Sequence, residues 1–354
     1  MTFSFDQDPF GLKSEKKQPF LLNALSHLIQ LHQQNCLSYQ RISTVYDHFN
    51  ASPATIAEVP YLPVSLFKQH LLKSIPDSAI VRILESSGTT GTSSKIFLDK
   101  ETSLSQVKAL TSIVQSYTGK QRLPMIIVDS KSVFSQKKFS ARAAGISGFS
   151  NFGHHHFFLL TEDMQVDKNG LIEFLKEHPN QPLLIFGFTF MIWQYLYLGL
   201  ETKVDLSKAI LFHSGGWKKL IELAVSNDTF KEKLKYKFGL ENCINFYGMA
   251  EQVGSIFTEC SHGYLHAPIF ADVLVRHPQT LAVQPNGESG LLETLSVLPT
   301  SYPGHAILTE DIGVKYGVDS CPCGRMGTYF HVQGRLPKAE VRGCSDTFIN
   351  GNTP

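Results

Sequence analysis

The sequence predicts an α/β protein whose parallel-rich sheets are flanked by helices, followed by a smaller antiparallel or barrel-like part. Up to about Tyr247, short apolar runs alternate with amphipathic segments, the pattern of strand, turn and helix repeated. Beyond Gly263 the texture shifts to shorter strands and turns, punctuated by Gly287, Gly290, Gly304, Gly313 and Gly317. The chain has 354 residues, 42% hydrophobic and 18% charged, so it can bury a large core and is not of the disordered class. A formal charge of +1 provides no global attraction to nucleic acid or anionic lipid.

Taken in order, Met1 to Phe10 carries Asp6 and Asp8 and lacks a basic region followed by an apolar one, so no signal peptide is expected. Six irregularly spaced cysteines point to reduced thiols, metal ligands or a nucleophile, and with the missing leader to a cytoplasmic protein. Pro19 to Gln33 places Leu21, Leu22, Leu25, Leu28 and Ile29 on one helical face. Pro60 and Pro63 fix an extended approach to Lys68. Val81 to Leu84 and Ile96 to Leu98 read as strands around a polar stretch. Further strands are expected at Met125 to Val128, Leu183 to Phe188, Ala209 to His213 and Cys243 to Tyr247, with helices at Thr102 to Tyr117, Asn169 to Glu177 and Trp217 to Val225. The uncharged run Leu183 to Leu200 just reaches the length of a membrane span, but Pro182 opens it, and Gly187, Thr189, Gln194 and two tyrosines interrupt it. It reads as a buried strand turning into a buried helix from Met191. No internal repeat or long linker divides residues up to about Val332, which are expected to form one body.

The polar stretch, Ser86-Ser87-Gly88-Thr89-Thr90-Gly91-Thr92-Ser93-Ser94-Lys95, is suited to holding phosphate. Backbone N–H groups made accessible by Gly88 and Gly91, the hydroxyls and one ammonium all bind oxyanions. It is not the P-loop of NTPases, because Gly91 stands four places before Lys95 and Ile96 follows the lysine. Taken alone it could equally be a solvated turn. Other polar groups recur at the ends of predicted strands: Ser214-Gly215-Gly216-Trp217-Lys218-Lys219, Tyr247-Gly248-Met249-Ala250-Glu251, Gly287-Glu288-Ser289-Gly290, Thr309-Glu310-Asp311 and Gly334-Arg335-Leu336-Pro337-Lys338.

In this order the motifs resemble the adenylate-forming family, which includes the acyl-CoA ligases, the phenylacetate-CoA ligases and the acyl-protein synthetases of bacterial luminescence. The resemblance spans Leu84 to Cys344 and implies an adenylating domain at 1–333. In it Ser86, Ser87, Gly88, Thr89, Thr90, Gly91 and Lys95 grip the phosphates of ATP, and Glu251 holds Mg²⁺ against the α-phosphate. Tyr247, followed by Gly248, stacks on adenine beside Gly215 and Gly216, while Asp311 and Arg335 hold the ribose. Family members typically continue for about a hundred residues beyond the hinge, as a small domain with a catalytic lysine. Only Leu336 to Pro354 follow here, so 334–354 reads as a hinge and stub, and Lys338 stands too close to the hinge to replace that lysine.

The luminescence-type synthetases look similarly short and place an acyl-accepting cysteine near the end. Arg342-Gly343-Cys344-Ser345 matches that position, and Pro63 to Lys68 and Ser214 to Lys219 also resemble that subfamily. Arg342 would favour the Cys344 thiolate; the alternative is an incidental tail cysteine. Cys260, His266, Cys321 and Cys323 supply four ligands of the type zinc prefers, with His262 competing for the histidine place. Reduced cysteines without metal are the other reading. In His154-His155-His156, His155 or His156 stands where the family's acyl pocket carries an aromatic or histidine, and a core role is the alternative. Adjacent strand residues point to opposite faces, which argues against shared metal ligation.

The resulting expectation is ATP-dependent activation of a fatty acid, or another carboxylic acid, to acyl-AMP, then transfer to Cys344 and on to a partner such as an acyl reductase. The alternatives are an acyl-CoA or acyl-carrier ligase lacking the usual C-terminal domain, and a non-catalytic adenylate-binding protein. No nucleic-acid partner and no membrane span are expected.

Overall fold

The structure is a computed structural model that describes residues 4–46, 49–86, 93–135, 141–217 and 222–336. These fall into two compact units, residues 4–113 with 248–336 (unit one) and 114–247 (unit two).

Unit one opens with the helix Ser14–Asn35, which begins before Pro19, where the apolar period suggested a start. Its first turn is capped from afar. The Ser14 N–H donates to Asp319 Oδ2 at 2.9 Å, supplying an acceptor that Lys13 at the N-cap does not. Leu21, Leu25 and Ile29 are buried as their spacing demands, in a cluster with Leu274, Leu291, Leu295 and Leu308. Strand β1 (Leu62–Pro63) runs parallel to a strand far along the chain, Leu62 opposite Ile307. Strands β2 (Arg82–Glu85) and β3 (Lys95–Leu98) pair antiparallel, as predicted on either side of the polar stretch.

Unit two contains β4 (Leu123–Ser130), β5 (Gly153–Leu160), β6 (Leu183–Phe188), β7 (Ala209–Ser214) and β8 (Asn242–Tyr247), all parallel, in the order β5-β4-β6-β7-β8. β4 and β6 are buried at every position, which explains their unbroken apolar character. After β4 the chain goes first to one side and then to the other, so the sheet has a topological switch point there. Helices Ala141–Ser150, Lys168–Glu177 and Asn227–Phe238 connect the strands. Phe149 packs on Phe186, Phe212 and Phe246 with ring centroids 4.2, 5.4 and 5.4 Å apart, so much of the phenylalanine content fills this core.

The buried helix expected after β6 is present, α-helical over Thr189–Met191 and continuing as a π-helix through Ile192–Leu198. One expectation needs correction here. The helix predicted from Trp217 to Val225 is absent from the described part of that stretch, which holds only a short 3₁₀ turn. Helix begins instead at Asn227, because the Ser226 hydroxyl accepts the Thr229 N–H and caps it.

Unit one resumes with β9 (Phe257–Glu259), β10 (Leu265–His266), β11 (Ala271–Arg276), β12 (Ser289–Ser296), β13 (Ala306–Val318) and β14 (Thr328–Arg335). They form an antiparallel array in the order β11-β12-β13-β14-β10-β9, the arrangement that the late glycines suggested. Among the described residues no helix is long and apolar enough to cross a membrane.

Candidate functional site

The polar loop leaves β2 and returns into β3, so it joins two antiparallel strands and does not open a helix. Ser87, Gly88, Thr89, Thr90 and Gly91 lie outside the described residues. Their stem is closed by the Ser86 N–H donating to the Ser94 carbonyl at 3.1 Å and the Ser94 N–H donating to the Ser86 hydroxyl at 2.9 Å. Lys95 stands at the mouth, opposite Glu85 and exposed.

Glu251 lies in the 3₁₀ turn Ala250–Gln252 and is 3% exposed. The turn is pinned on two sides. The Tyr302 hydroxyl donates to the Glu251 carbonyl at 2.9 Å, and the Gln252 amide donates to the Thr294 and Gly304 carbonyls at 3.1 and 2.8 Å. Gly254 follows with φ +87, where a Cβ would meet the Gln106 backbone at 2.8 Å. Within this fixed frame Glu251 Oε1 has no hydrogen-bond partner among the described residues. A buried carboxylate oxygen left so is costly, and an acceptor-only group of this kind suits a hard cation.

Asp311 and Arg335 face each other across β13 and β14, with Arg335 Nε 3.3 Å from Asp311 Oδ1. The Thr309 hydroxyl accepts the Asp311 N–H at 3.1 Å and itself donates to the Leu292 carbonyl at 2.8 Å, which gives the Thr-x-Asp spacing a local purpose. In unit two, Gly215 (φ +84) and Gly216 follow β7 directly, and Tyr247 ends β8. Ser214 lies opposite Phe246 in the parallel register, so Gly215 and Tyr247 emerge at the same carboxyl-terminal edge of that sheet. Tyr247 is buried there, and Gly248 begins the next turn with Ile256 Cγ2 only 3.1 Å from where its Cβ would be.

Two residues at this edge were not singled out from sequence. Thr189, one residue beyond β6, contacts His213 Nδ1 at 3.0 Å, and its hydroxyl is 3.2 Å from the Ser214 carbonyl. Burial pushes His213 down to about 3, so it is a neutral imidazole across the ordinary pH range. The sequence signal was its place immediately before Ser214-Gly215-Gly216.

The four proposed metal ligands do come together. Cys260 is in the turn after β9, His266 is on β10, and Cys321 and Cys323 are in the connection from β13 to β14. Their donor atoms all lie within 4.8 Å of one another, Cys260 and Cys321 sulfurs 3.9 Å apart and Cys323 Sγ 3.4 Å from His266 Nε2. A tetrahedral ion at ordinary bond lengths sets sulfurs about 3.8 Å apart and sulfur and nitrogen about 3.5 Å apart. His262, the competitor, has its ring nitrogen 3.2 Å from the Ser261 hydroxyl and only its backbone N–H on Cys260 Sγ. His155 and His156 are exposed on β5, and His156 Nε2 lies 2.9 Å from the Ser150 carbonyl. Lys338 and Cys344 lie outside the described residues.

A sequence profile for the LuxE acyl-protein synthetases matches residues 2–352. Long-chain-fatty-acid–luciferin-component ligase of Vibrio harveyi is 21% identical over 301 residues, 81% of this chain and 76% of that protein. The ligase of the same name from Aliivibrio fischeri is 23% identical over 330 residues, 86% and 82% of the two chains. Among solved structures, 2-hydroxyisobutyryl-CoA ligase with 2-HIB-AMP and CoA in the thioesterification state superposes with a TM-score of 0.72 at 17% identity, covering 96% of this chain and 73% of that one.

Proposed function

Because this chain belongs to the LuxE acyl-protein synthetase family, we propose that it activates a long-chain fatty acid with ATP and passes the acyl group through Cys344 to a partner acyl reductase. In the first step the carboxylate oxygen attacks the α-phosphorus, acyl-AMP forms and pyrophosphate leaves. In the second the Cys344 thiolate attacks the acyl carbonyl, a thioester forms and AMP leaves.

Glu251 carries this reading. Its buried, unpartnered oxygen fits Mg²⁺, which would offset the charge that builds on the α-phosphate. The polar loop with Ser86 and Lys95 takes the β- and γ-phosphates, Tyr247 with Gly215, Gly216 and Gly248 takes the adenine, and Asp311 with Arg335 takes the ribose. The segment from Gly334 to Lys338 acts as the hinge that brings Cys344 to the adenylate. A Zn²⁺ ion on Cys260, His266, Cys321 and Cys323 ties the connection between β13 and β14 to the β9–β10 hairpin. It has a structural role, because four protein ligands leave no open position. The cysteines among the described residues form no disulfide, which fits a reducing compartment such as the cytoplasm.

The test is acid-dependent ATP–pyrophosphate exchange, followed by incubation with Mg²⁺, ATP and radiolabelled long-chain acid. The expected result is label on the chain that hydroxylamine releases, lost in Cys344→Ala while exchange persists. Label retained by Cys344→Ala, or resistant to hydroxylamine, would move the acceptor elsewhere and favour a CoA or carrier ligase. Absence of exchange would leave a nucleotide-binding protein.

A further inference from the structure

The carboxyl-terminal edge of the parallel sheet carries a hydrogen-bond relay that the reaction above leaves unused. β7 lies between β6 and β8, and Ser214 stands opposite Phe188 on one side and Phe246 on the other. One residue past β6, the Thr189 hydroxyl meets two groups of β7, His213 Nδ1 at 3.0 Å and the Ser214 carbonyl at 3.2 Å. A hydroxyl has one proton and a carbonyl can only accept, so Thr189 donates to Ser214 and accepts from the His213 Nδ1–H. The relay therefore runs from His213 through Thr189 to Ser214, with the ring in its Nδ1–H tautomer.

All three residues are buried, Thr189 and His213 completely. Phe230 covers the imidazole with ring centroids 4.7 Å apart. Burial and the Lys231 ammonium both oppose a charge on the ring, which keeps it neutral. His213 Nε2 has no hydrogen-bond partner among the described residues, the place where this tautomer leaves a bare lone pair. Thr189 also opens the turn that continues as the π-helix Ile192–Leu198, a winding often found at functional sites.

The relay ends on the peptide that leads into Gly215 and Gly216. In a trans peptide the carbonyl and the N–H point opposite ways. With the Ser214 carbonyl turned to the β6 side, the Gly215 N–H is turned to the β8 side, where Tyr247 ends its strand. Resting on the assignment of Gly215, Gly216 and Tyr247 to adenine, we infer that Thr189 and His213 are positioning residues of the nucleotide pocket. They hold the Ser214–Gly215 peptide so that the backbone of the two glycines meets the base beside Tyr247. Fully buried, neither side chain touches the base itself.

The experiment measures ATP–pyrophosphate exchange by the full chain with Mg²⁺ and a long-chain acid, varying ATP and pyrophosphate separately. Thr189→Val keeps the shape of the side chain without its hydroxyl, and His213→Leu removes the Nδ1 donor. In both, the KM for ATP should rise by about 10-fold or more, the effect of one lost hydrogen bond. The KM for pyrophosphate should hold, because the polar loop belongs to β2 and β3. Thr189→Ser keeps the hydroxyl and His213→Asn puts an amide donor near the Nδ1 place, so both should stay within about 3-fold of the unaltered chain. A merely structural role would lower the active fraction, and so kcat, with both KM values unmoved. Nitrogen-15 NMR of the unaltered chain, assigned against His213→Asn, should show a protonated Nδ1 and a bare Nε2, whether or not the valine variant folds. An Nε2–H tautomer, or an unmoved KM for ATP in Thr189→Val while the unaltered chain exchanges normally, would overturn the positioning role alone. No exchange in the unaltered chain would overturn it together with the nucleotide assignment.

Discussion

Replacing Cys321 and Cys323 by serine tests the cysteine cluster as a structural tie. Cys260 and Cys321 are 61 residues apart in the chain, and their sulfurs lie 3.9 Å from each other. By loop-closure entropy a firm link across that separation contributes about 4 kcal/mol. In a body of roughly 200 residues each kcal/mol moves the midpoint by about 2 to 4 °C, so losing the ion lowers it by on the order of 10 °C. The assay pairs elemental zinc per chain with thermal unfolding followed by circular dichroism. The unaltered protein should carry about one structural zinc at this cluster, and the variant none, with the lower midpoint. Chelation of the unaltered protein should reproduce the variant's curve. Pyrophosphate exchange, measured well below the midpoint, should survive, because none of the residues assigned to ATP belongs to the cluster. Metal-free protein of undiminished stability, or a variant that melts with the unaltered chain, would refute the reasoning.

Glu251→Gln keeps the volume of the side chain but removes the charge, so exchange should fall by about 100-fold or more while the midpoint holds; an unchanged exchange rate would remove Glu251 from the mechanism. Arg276→Met tests a buried pair. Arg276 bonds Glu293, donates to the Leu281 and Ala57 carbonyls at 2.9 and 2.7 Å, and lies 4.6 Å over the Tyr61 ring. Burial pushes Glu293 up to about 7 even against Arg276. Its folded value stands above its unfolded one, so its contribution is full below about pH 4.5 and is lost as pH rises through about 7. Without Arg276 the folded value rises further and the loss continues to higher pH. Urea unfolding should show a deficit of about 3 to 5 kcal/mol near pH 8 and a smaller one near pH 6; equal deficits would contradict this assignment.

What could be read from the sequence was whatever depends on local period and residue chemistry. The apolar runs of β4, β6, β7 and β8 are short because each crosses a buried parallel sheet once, and their limits were found to within a few residues. That Cys260, His266, Cys321 and Cys323 come together was legible because Cys and His are the side chains a zinc site would draw on. Hidden were the features set by distant partners. The helix Ser14–Asn35 gains its first turn from Asp319, which no local rule can supply. Asp311 and Arg335 were each named for a ligand, but that they bind each other depends on the register of β13 and β14.

Unit two is a single stretch of chain, whereas unit one is assembled from both ends of the described sequence. This sets an order of events during synthesis. β1 cannot pair until Ile307 has been made, 245 residues after Leu62, a wait of about 12 to 50 s at ordinary elongation rates. Over that interval Leu21, Leu25 and Ile29 lack Leu274, Leu291, Leu295 and Leu308, the residues that later cover them. The nascent chain therefore presents a greasy helix to the ribosome's surroundings while the parallel sheet is already free to fold. Its hazard lies in aggregation through that helix, and a holdase that shields it until β13 emerges would raise the yield of native protein more than one acting on the finished chain.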